Sequence, residues 1–270
     1  MQKFVNSFDG TKICYDLSRI RGSKKFIVLL HGLGGDYTAW NPERKILRKN
    51  KISTLAIDLR GHGLSGRPAL FSDYALENFA KDIFCVLKKE RAKNFALAGH
   101  CFGGIIAMAF HKLYPTLANK YVLIDTTYKA PPLLAQFANT KLIAYFNNIL
   151  EQSMHRGKKT HVNFSKFSGS GDLNLRRIYS DIAHTSLRSW LFSFENVLKF
   201  DGSKILREMK KPVLIVEGEK DIIFNTKIAR RINTLAMNSK LDIIPNANHM
   251  IIINNPKELS KELLKKYKLN

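Results

Sequence analysis

The residue types best suited to chemistry lie in a short glycine-rich segment, residues 99–104, which reads Gly-His-Cys-Phe-Gly-Gly. It follows an apolar run and opens a segment of helical length, which is the context of a nucleophile elbow, usually written G-x-S-x-G. The central residue is Cys101. Backbone N–H groups and the dipole at a helix N-terminus favour a thiolate there. The pattern predicts that Cys101 is a nucleophile, and the alternative is a buried structural cysteine.

A second glycine-rich segment could supply hydrogen-bond donors to such a nucleophile. Residues 31–35 read His-Gly-Leu-Gly-Gly and follow another apolar run. This matches the loop that donates a backbone N–H to an oxyanion. We predict an oxyanion hole made by the backbone N–H groups of Leu33 and Phe102, because two aimed donors stabilise a developing oxyanion by several kcal/mol. The His31 side chain is predicted to order the turn.

A general base and an orienting acid are also available. His249 lies just past the last apolar run, and Asp221 lies just past the run before it. The order Cys101, Asp221, His249 is one of the known triad orders. Asp125 also follows an apolar run and is the alternative acid. Two nearby glutamates are predicted to be solvated or structural: Glu217 and Glu219.

The elements that must position these residues follow an alternating pattern. Short apolar runs bounded by turn residues predict buried strands at 26–30, 53–57, 94–98, 121–124, 212–216 and 241–244. Segments of helical length lie between them, including 76–89 and 104–114, so the chain is predicted to be an α/β protein with a mostly parallel sheet flanked by helices. Asp9 and Gly10, between two alternating stretches, predict an antiparallel hairpin at the sheet edge.

One region interrupts this alternation. Residues 128–209 contain aromatic residues with helical spacing in places and no convincing strand pattern. We predict a helical insertion over 128–209, with residues 1–127 and 210–270 forming the core. The aromatic residues could line an apolar pocket or pack in the insertion's own core.

Taken together, these motifs resemble the α/β-hydrolase superfamily over nearly the whole chain. The matching segments are 9–11, 31–32, 58–65, the elbow at Cys101, 218–221, and His249 followed by Pro256. Segment 58–65 is typical of the esterase, lactonase and hydrolytic-dehalogenase branch, where it shapes a turn near the site. The resemblance implies an α/β-hydrolase fold and identifies the 128–209 insertion as a helical lid.

Cys101 departs from the serine usual in this superfamily. Cysteine elbows occur in dienelactone hydrolases and polyhydroxyalkanoate synthases, which resemble this chain only in that segment. A thiol argues against a dehalogenase or an epoxide hydrolase of this superfamily. The resemblance implies hydrolysis of an ester, thioester or lactone through an acyl-cysteine. An acyltransferase using a CoA or carrier-protein thioester is the second hypothesis, and a non-catalytic ligand receptor is the third.

Composition limits the possible partners. Lys and Arg number 44 against 22 acidic residues, a net charge of +22. This charge would suit coenzyme phosphates or an acidic carrier protein, but a biased composition explains it equally well. No recognition motif predicts specific nucleic-acid binding, and no apolar run predicts a membrane span. Three cysteines predict a reducing, cytoplasmic location. We predict no cofactor and no metal, since His155 and His161 have no evident ligand partners.

Overall fold

The computed structural model describes residues 1–130, 136, 141–152 and 157–268. One eight-stranded sheet runs through the described residues, in the order β1-β2-β4-β3-β5-β6-β7-β8. The first three strands in this order pair antiparallel, and every later pair is parallel. The strands are β1 Gln2–Asn6, β2 Lys12–Ser18, β3 Phe26–Leu30, β4 Ser53–Ile57, β5 Ala96–His100, β6 Lys120–Ile124, β7 Val213–Gly218 and β8 Ser239–Ile244.

The central strands are buried on both faces, which explains their continuous apolar sequences. In β3, Ile27 and Leu29 belong to one hydrophobic cluster, whereas Val28 and Leu30 belong to the other. Alternate side chains of a strand point to opposite faces of its sheet. The sheet therefore separates two cores, and helices must cover both.

Helices fill that role on each face. Apolar side chains of α2, α3 and α8 join the cluster around Val28, and those of α9 and α10 join the cluster around Ile27. The helices are α1 Asn41–Lys49, α2 Leu76–Lys89, α3 Phe102–Leu113, α4 Lys141–Gln152, α5 Leu175–Thr185, α6 Leu187–Lys199, α7 Ser203–Glu208, α8 Thr226–Leu235, α9 Ile251–Asn254 and α10 Pro256–Lys268.

The predicted α/β class, with a mostly parallel sheet flanked by helices, is confirmed. The antiparallel hairpin at the sheet edge is also present, because β1 pairs with β2 around Gly10. Several strand boundaries were wrong: the strands expected at 212–216 and 241–244 span Val213–Gly218 and Ser239–Ile244. The strand expected at 94–98 spans Ala96–His100, since Gly99 and His100 continue the pairing with β6. Gly99 was interpreted as a turn residue, but it belongs to the strand. Because Gly99 has no side chain, the carbonyl group of Gly103 can lie very close to it.

Between β6 and β7, the described residues include the helices α4 to α7. This part of the chain contacts the core through Arg67, whose guanidinium donates to the carbonyls of Gly157 and Lys158, both at 2.8 Å. Residues 131–135, 137–140 and 153–156 of the predicted insertion, including His155, lie outside the described residues. The assignment of 128–209 as a lid remains a prediction.

Candidate active site

Cys101 lies at the junction of β5 and α3, directly after the strand and before the first helical residue. Its backbone has φ +52° and ψ −115°, a conformation that non-glycine residues rarely adopt. Such strain costs about 1–3 kcal/mol and persists only where the surroundings impose it. Here the Cys101 N–H donates to the Ile124 carbonyl at 2.9 Å, and the Thr126 hydroxyl donates to the Cys101 carbonyl at 2.7 Å.

The glycines around Cys101 allow the chain to turn within a very small space. A Cβ atom on Gly99 would overlap the carbonyl oxygen of Gly103. A Cβ atom on Gly103 would lie 2.5 Å from the carbonyl oxygen of Leu30, at the end of β3. The helix therefore begins against two strands, and this packing fixes the position of the thiol at the carboxyl edge of the sheet.

His249 and Asp221 meet beside this thiol. The Nδ1 atom of His249 lies 2.7 Å from Oδ2 of Asp221, and both side chains are buried. The other carboxylate oxygen of Asp221 accepts the backbone N–H groups of Ile223 and Phe224 at 2.6 and 2.9 Å. These bonds fix the carboxylate, which in turn orients the imidazole.

The electrostatic environment favours the protonated form of His249. Burial alone would lower its pKa, but the negative charge of Cys101, the hydrogen bonds with Asp221 and Cys101, and the charge of Asp221 raise its pKa well above the ordinary value. An imidazolium at His249 is therefore stabilised by its two neighbours, Cys101 and Asp221. The structure brings Cys101, Asp221 and His249 together, as the sequence order led us to expect.

His100 contributes an interaction that the sequence did not indicate. Its Nε2 atom lies 2.8 Å from the backbone carbonyl of His249, to which it can donate a hydrogen bond. Burial, together with the nearby charge of His249, lowers the pKa of His100 to about 3, so the ring is neutral. His100 thereby connects the elbow directly to the loop that carries His249.

The alternative acid, Asp125, has a different environment. Its Oδ1 atom accepts the backbone N–H of Gly218 at 2.7 Å, and the carboxylate of Asp221 is the one that bonds to His249. Burial is the main reason that the pKa of Asp125 lies well above its ordinary value; the charge of His249 opposes the rise and that of Asp221 adds to it. Asp125 is therefore favoured as a neutral group.

The two glutamates after β7 differ from each other. Glu217 is buried rather than solvated, and burial together with the charges of Asp125 and Asp221 raises its pKa to about 10. Glu219 is exposed and accepts the backbone N–H of Asn246 at 2.9 Å. This group of acids is close together: Asp125, Glu217 and Asp221 each have one carboxylate oxygen within 4.8 Å of those of the other two. Like charges this close favour protonation of some members.

The loop at 31–35 lies directly against the elbow. His31 donates from Nδ1 to the Gly32 carbonyl at 2.8 Å and accepts the Leu59 N–H at Nε2, 3.0 Å away. Its side chain thus orders the turn. A Cβ atom on Gly32 would lie 3.2 Å from Cβ of Cys101, so the loop and the nucleophile are in contact. The donor roles of Leu33 and Phe102 remain predictions.

A cavity of about 50 Å³ lies between these elements. Besides Cys101, His249 and Leu33, its wall includes Arg177 and Asp181 of α5. Neither was predicted from the sequence, where they appear as one ordinary i, i+4 pair on a helix. A larger cavity of about 630 Å³ lies next to it. The two share Ala39, Phe164 and Ile253 in their walls.

Some groups of side chains have the composition of metal sites. Ligand-type atoms of Cys14, Asp58 and His161 lie within 4.8 Å of one another. Asp58 already accepts the backbone N–H groups of Tyr37 and Leu64 and contacts His161 at 2.9 Å. Hydrogen bonding accounts for this group, and the absence of a resident metal remains a prediction.

Comparison with known proteins places this geometry in a family. A sequence model of the alpha/beta hydrolase fold matches residues 25–256. The chain therefore belongs to the α/β-hydrolase fold family and is an enzyme of this fold, as the resemblance implied. The strand-to-helix elbow and the order nucleophile, acid, histidine are consistent with this membership.

Individual relatives match most of the length of this chain. The chain is 27% identical to an uncharacterized protein of Mycobacterium tuberculosis, covering 88% of this chain and 74% of the relative. It is 23% identical to the 2-(acetamidomethylene)succinate hydrolase of Mesorhizobium japonicum, covering 86% and 84%. A hydrolase structure from Pseudomonas aeruginosa has a TM-score of 0.77 at 20% identity, covering 98% of this chain and 97% of that one.

One further observation concerns membranes. Within residues 1–130, 136, 141–152 and 157–268, no helix has the length and apolar character needed to cross a bilayer. The predicted cytoplasmic location stays a prediction.

Proposed function

We propose that this protein is a hydrolase that cleaves an ester, thioester or lactone through an acyl-cysteine intermediate on Cys101. The observation that carries the proposal is the position of His249, whose imidazole interacts with the Cys101 thiol and with the Asp221 carboxylate at once. Esterase and lactonase names among the related proteins support this class: a putative esterase/lipase of Mycoplasma pneumoniae is 24% identical over 74% of this chain.

The reaction follows from the roles of these three residues. The Cys101 sulfur attacks the acyl carbonyl, forming a carbon–sulfur bond while the carbonyl π electrons move to oxygen. The N–H groups of Leu33 and Phe102 stabilise that oxyanion. Its collapse expels the leaving group, which takes the proton from His249. His249 then removes a proton from water, and the hydroxide attacks the thioester to release the acid and restore the cysteine.

Cavity size supports a small acyl group beside the sulfur. The cavity of about 50 Å³ can hold only a few water-sized groups. The adjoining cavity of about 630 Å³ offers space for the rest of a substrate. Phe164, which lines both, lies at the boundary between them and would contact a substrate that extends from one into the other.

The sulfur of Cys101 favours a second candidate, acyl transfer. Its acyl-enzyme is a thioester, so exchange with a CoA or carrier-protein thioester is nearly balanced in energy. The exposed Lys45 lines the larger cavity and could contact phosphate groups of such a donor. Hydrolysis ranks first because water needs no further binding site.

Intact-mass spectrometry after incubation with p-nitrophenyl esters and with acyl-CoA tests the proposal. We expect an acyl adduct that disappears in Cys101→Ala and persists in Cys85→Ala, a control that removes another free cysteine on α2. Added amines or thiols distinguish transfer from hydrolysis, because they divert the acyl group to a new product. If no acyl donor gives an adduct or turnover, the chain is a ligand receptor instead.

A further inference from the structure

His100 directly precedes the nucleophile, and its ring contacts two loops of the site at once. Its Nε2 atom lies 2.8 Å from the backbone carbonyl oxygen of His249. Its other ring nitrogen, Nδ1, would lie 3.1 Å from a Cβ atom on Gly32, in the loop that carries Leu33. The residue is buried, with an exposed fraction of 3%. His100 is therefore packed between the two loops that approach Cys101.

The chemical state of the ring suits a fixed hydrogen-bond donor. A carbonyl oxygen only accepts hydrogen bonds, so Nε2 of His100 carries the proton and donates it to His249. Burial, together with the nearby charge of His249, lowers the pKa of His100 to about 3. The ring is therefore neutral above about pH 4. It keeps one tautomer while His249 changes its own charge.

His249 is held at two points, and His100 provides one of them. The Asp221 carboxylate orients the imidazole through Nδ1 at 2.7 Å, but this contact acts on the ring and not on the backbone. The His100 hydrogen bond acts on the backbone of the same residue. The rings of His100 and His249 also pack together, with their centroids 5.1 Å apart. The distance from the imidazole to the Cys101 sulfur therefore depends on both contacts.

The loop around His249 has further anchors that do not involve His100. The Ala247 carbonyl accepts the backbone N–H of Lys220 at 2.7 Å. The side-chain amide of Asn248 donates to a backbone carbonyl before α5 at 3.1 Å. These bonds keep the loop folded when His100 is replaced. The replacement is then expected to displace His249 without unfolding the site.

On the basis of the proposed hydrolase function, we propose that His100 is a positioning residue that sets the distance between Cys101 and His249. Its ring is a spacer between Gly32 and the His249 carbonyl, so the oxyanion loop and the base keep their places around the sulfur. Proton transfer and attack depend steeply on geometry, and a displacement of about 1 Å can cost about 10²-fold in rate. His100 exchanges no proton itself, because its single N–H is bonded to a carbonyl group.

Three substitutions of His100 separate the parts of this role. His100→Gln keeps an N–H donor near the position of Nε2, whereas His100→Asn places its amide near the position of Nδ1 and does not reach the carbonyl. His100→Leu fills space without any donor. His111→Leu is the matched control, because His111 is also buried and bonds through Nδ1 to the Tyr121 hydroxyl at 3.2 Å, but lies at the far end of α3.

The first measurement is kcat/KM for p-nitrophenyl acetate, which reports acylation of Cys101. We expect a loss of about 10–100-fold in His100→Leu and in His100→Asn, because the base is displaced. His100→Gln should recover to within about fivefold of the native protein, and His111→Leu should stay within about twofold. Melting temperatures of all variants show which of them are folded. A purely structural histidine would not give rescue by the one variant whose donor reaches the carbonyl.

NMR titration of the imidazole nitrogens gives a second measurement, which needs no substrate. Burial lowers the pKa of His249, but the charge of Cys101 and hydrogen bonds with Asp221 and Cys101 raise it well above the ordinary value. A displaced imidazole loses part of the contribution of Cys101. The pKa of His249 should therefore fall in His100→Leu and return in His100→Gln. His100 itself should carry its proton on Nε2 and should not titrate above about pH 4.

A folded His100→Leu variant with native kcat/KM and an unchanged His249 titration would overturn the positioning role. The role would also be overturned if His100→Gln were no more active than His100→Asn, and this comparison decides if His100→Leu does not fold. If the native protein turns over no ester, the proposed function fails, and the His249 titration alone decides the role of His100.

Discussion

His249 and Asp221 are joined by a hydrogen bond of 2.7 Å between Nδ1 and Oδ2, although 28 positions separate them in the chain. The pair lies on the two loops that follow β7 and β8, which are neighbouring parallel strands. Parallel strands end at the same edge of a sheet, so these two loops meet there. Because Nδ1 of His249 is bonded to Asp221, Nε2 is the ring nitrogen that can exchange a proton with the Cys101 thiol.

The first prediction concerns the choice of acid. Asp221→Asn should lower kcat/KM for a p-nitrophenyl ester by roughly 10²–10⁴, because an amide at this position no longer stabilises the imidazolium or its correct tautomer. Asp125→Asn should lower it by less than about tenfold, because asparagine can still accept the Gly218 N–H and replaces a carboxyl that is favoured as neutral. The reverse order of effects would reassign the acid to Asp125.

The second prediction concerns the coupling of Cys101 and His249. Cys101→Ala removes both the negative charge and the hydrogen bond that raise the pKa of His249, while burial still lowers it. We therefore expect the pKa of His249 to fall in this variant, measured by NMR of the imidazole nitrogens. Cys85→Ala is the matched control and should leave the titration unchanged. An unaltered His249 titration in Cys101→Ala would show that no ion pair forms.

The third prediction concerns the elbow. Gly99→Ala should lower the free energy of unfolding by about 3 kcal/mol or more, because its Cβ would overlap the Gly103 carbonyl where neither backbone can move aside. Gly171→Ala is the control, since nothing lies within 4 Å of a Cβ there and its φ is negative or extended. Urea unfolding of both variants measures the difference. Equal stabilities would mean that the turn has more space than described.

The fourth prediction concerns His161, in the predicted lid. Burial opposes protonation, but the hydrogen bond with Asp58 and the charges of Asp58 and Asp36 raise the pKa of His161. A raised pKa in the folded state means that this pair stabilises the fold fully below about pH 6.5, the unfolded pKa. The stabilisation disappears as the pH rises through the folded pKa.

Urea unfolding of His161→Asn and of the native protein at about pH 5.5 and about pH 9 measures this effect. We expect the variant to lose about 1 kcal/mol more at the lower pH. His184→Asn is the control, because the Nδ1 atom of His184 contacts the Ser180 carbonyl rather than a carboxylate. A variant whose deficit is the same at both pH values would exclude protonation of His161 as the source.

Much of the site could be predicted from local sequence because the residues follow strands. Cys101, Asp221 and His249 each come just after a continuous apolar run, and turn residues accompany each of them. Parallel strands bring such positions to one edge, whatever the length of the intervening chain. The glycines around Cys101 were equally informative, because only a residue without Cβ fits so close to the next strand.

Other features depended on contacts that local sequence does not encode. Whether Asp125 or Asp221 reaches His249 depends on the directions of two side chains that follow neighbouring strands. Glu217, interpreted as solvated or structural, is buried because it lies within β7, paired with β8. Arg177 and Asp181 line the cavity because α5 packs against the loop at Gly34, a contact between segments far apart in the chain.

The sequence by itself determined the α/β architecture and the three residues proposed to carry the chemistry, because both depend on periodicity and on turn residues adjacent in the chain. Tertiary structure decided which carboxylate touches His249, which groups are buried beside it and what lines the cavity. Those properties depend on distances between segments far apart in sequence, and burial raises the pKa of Asp125 and of Glu217 beside the site.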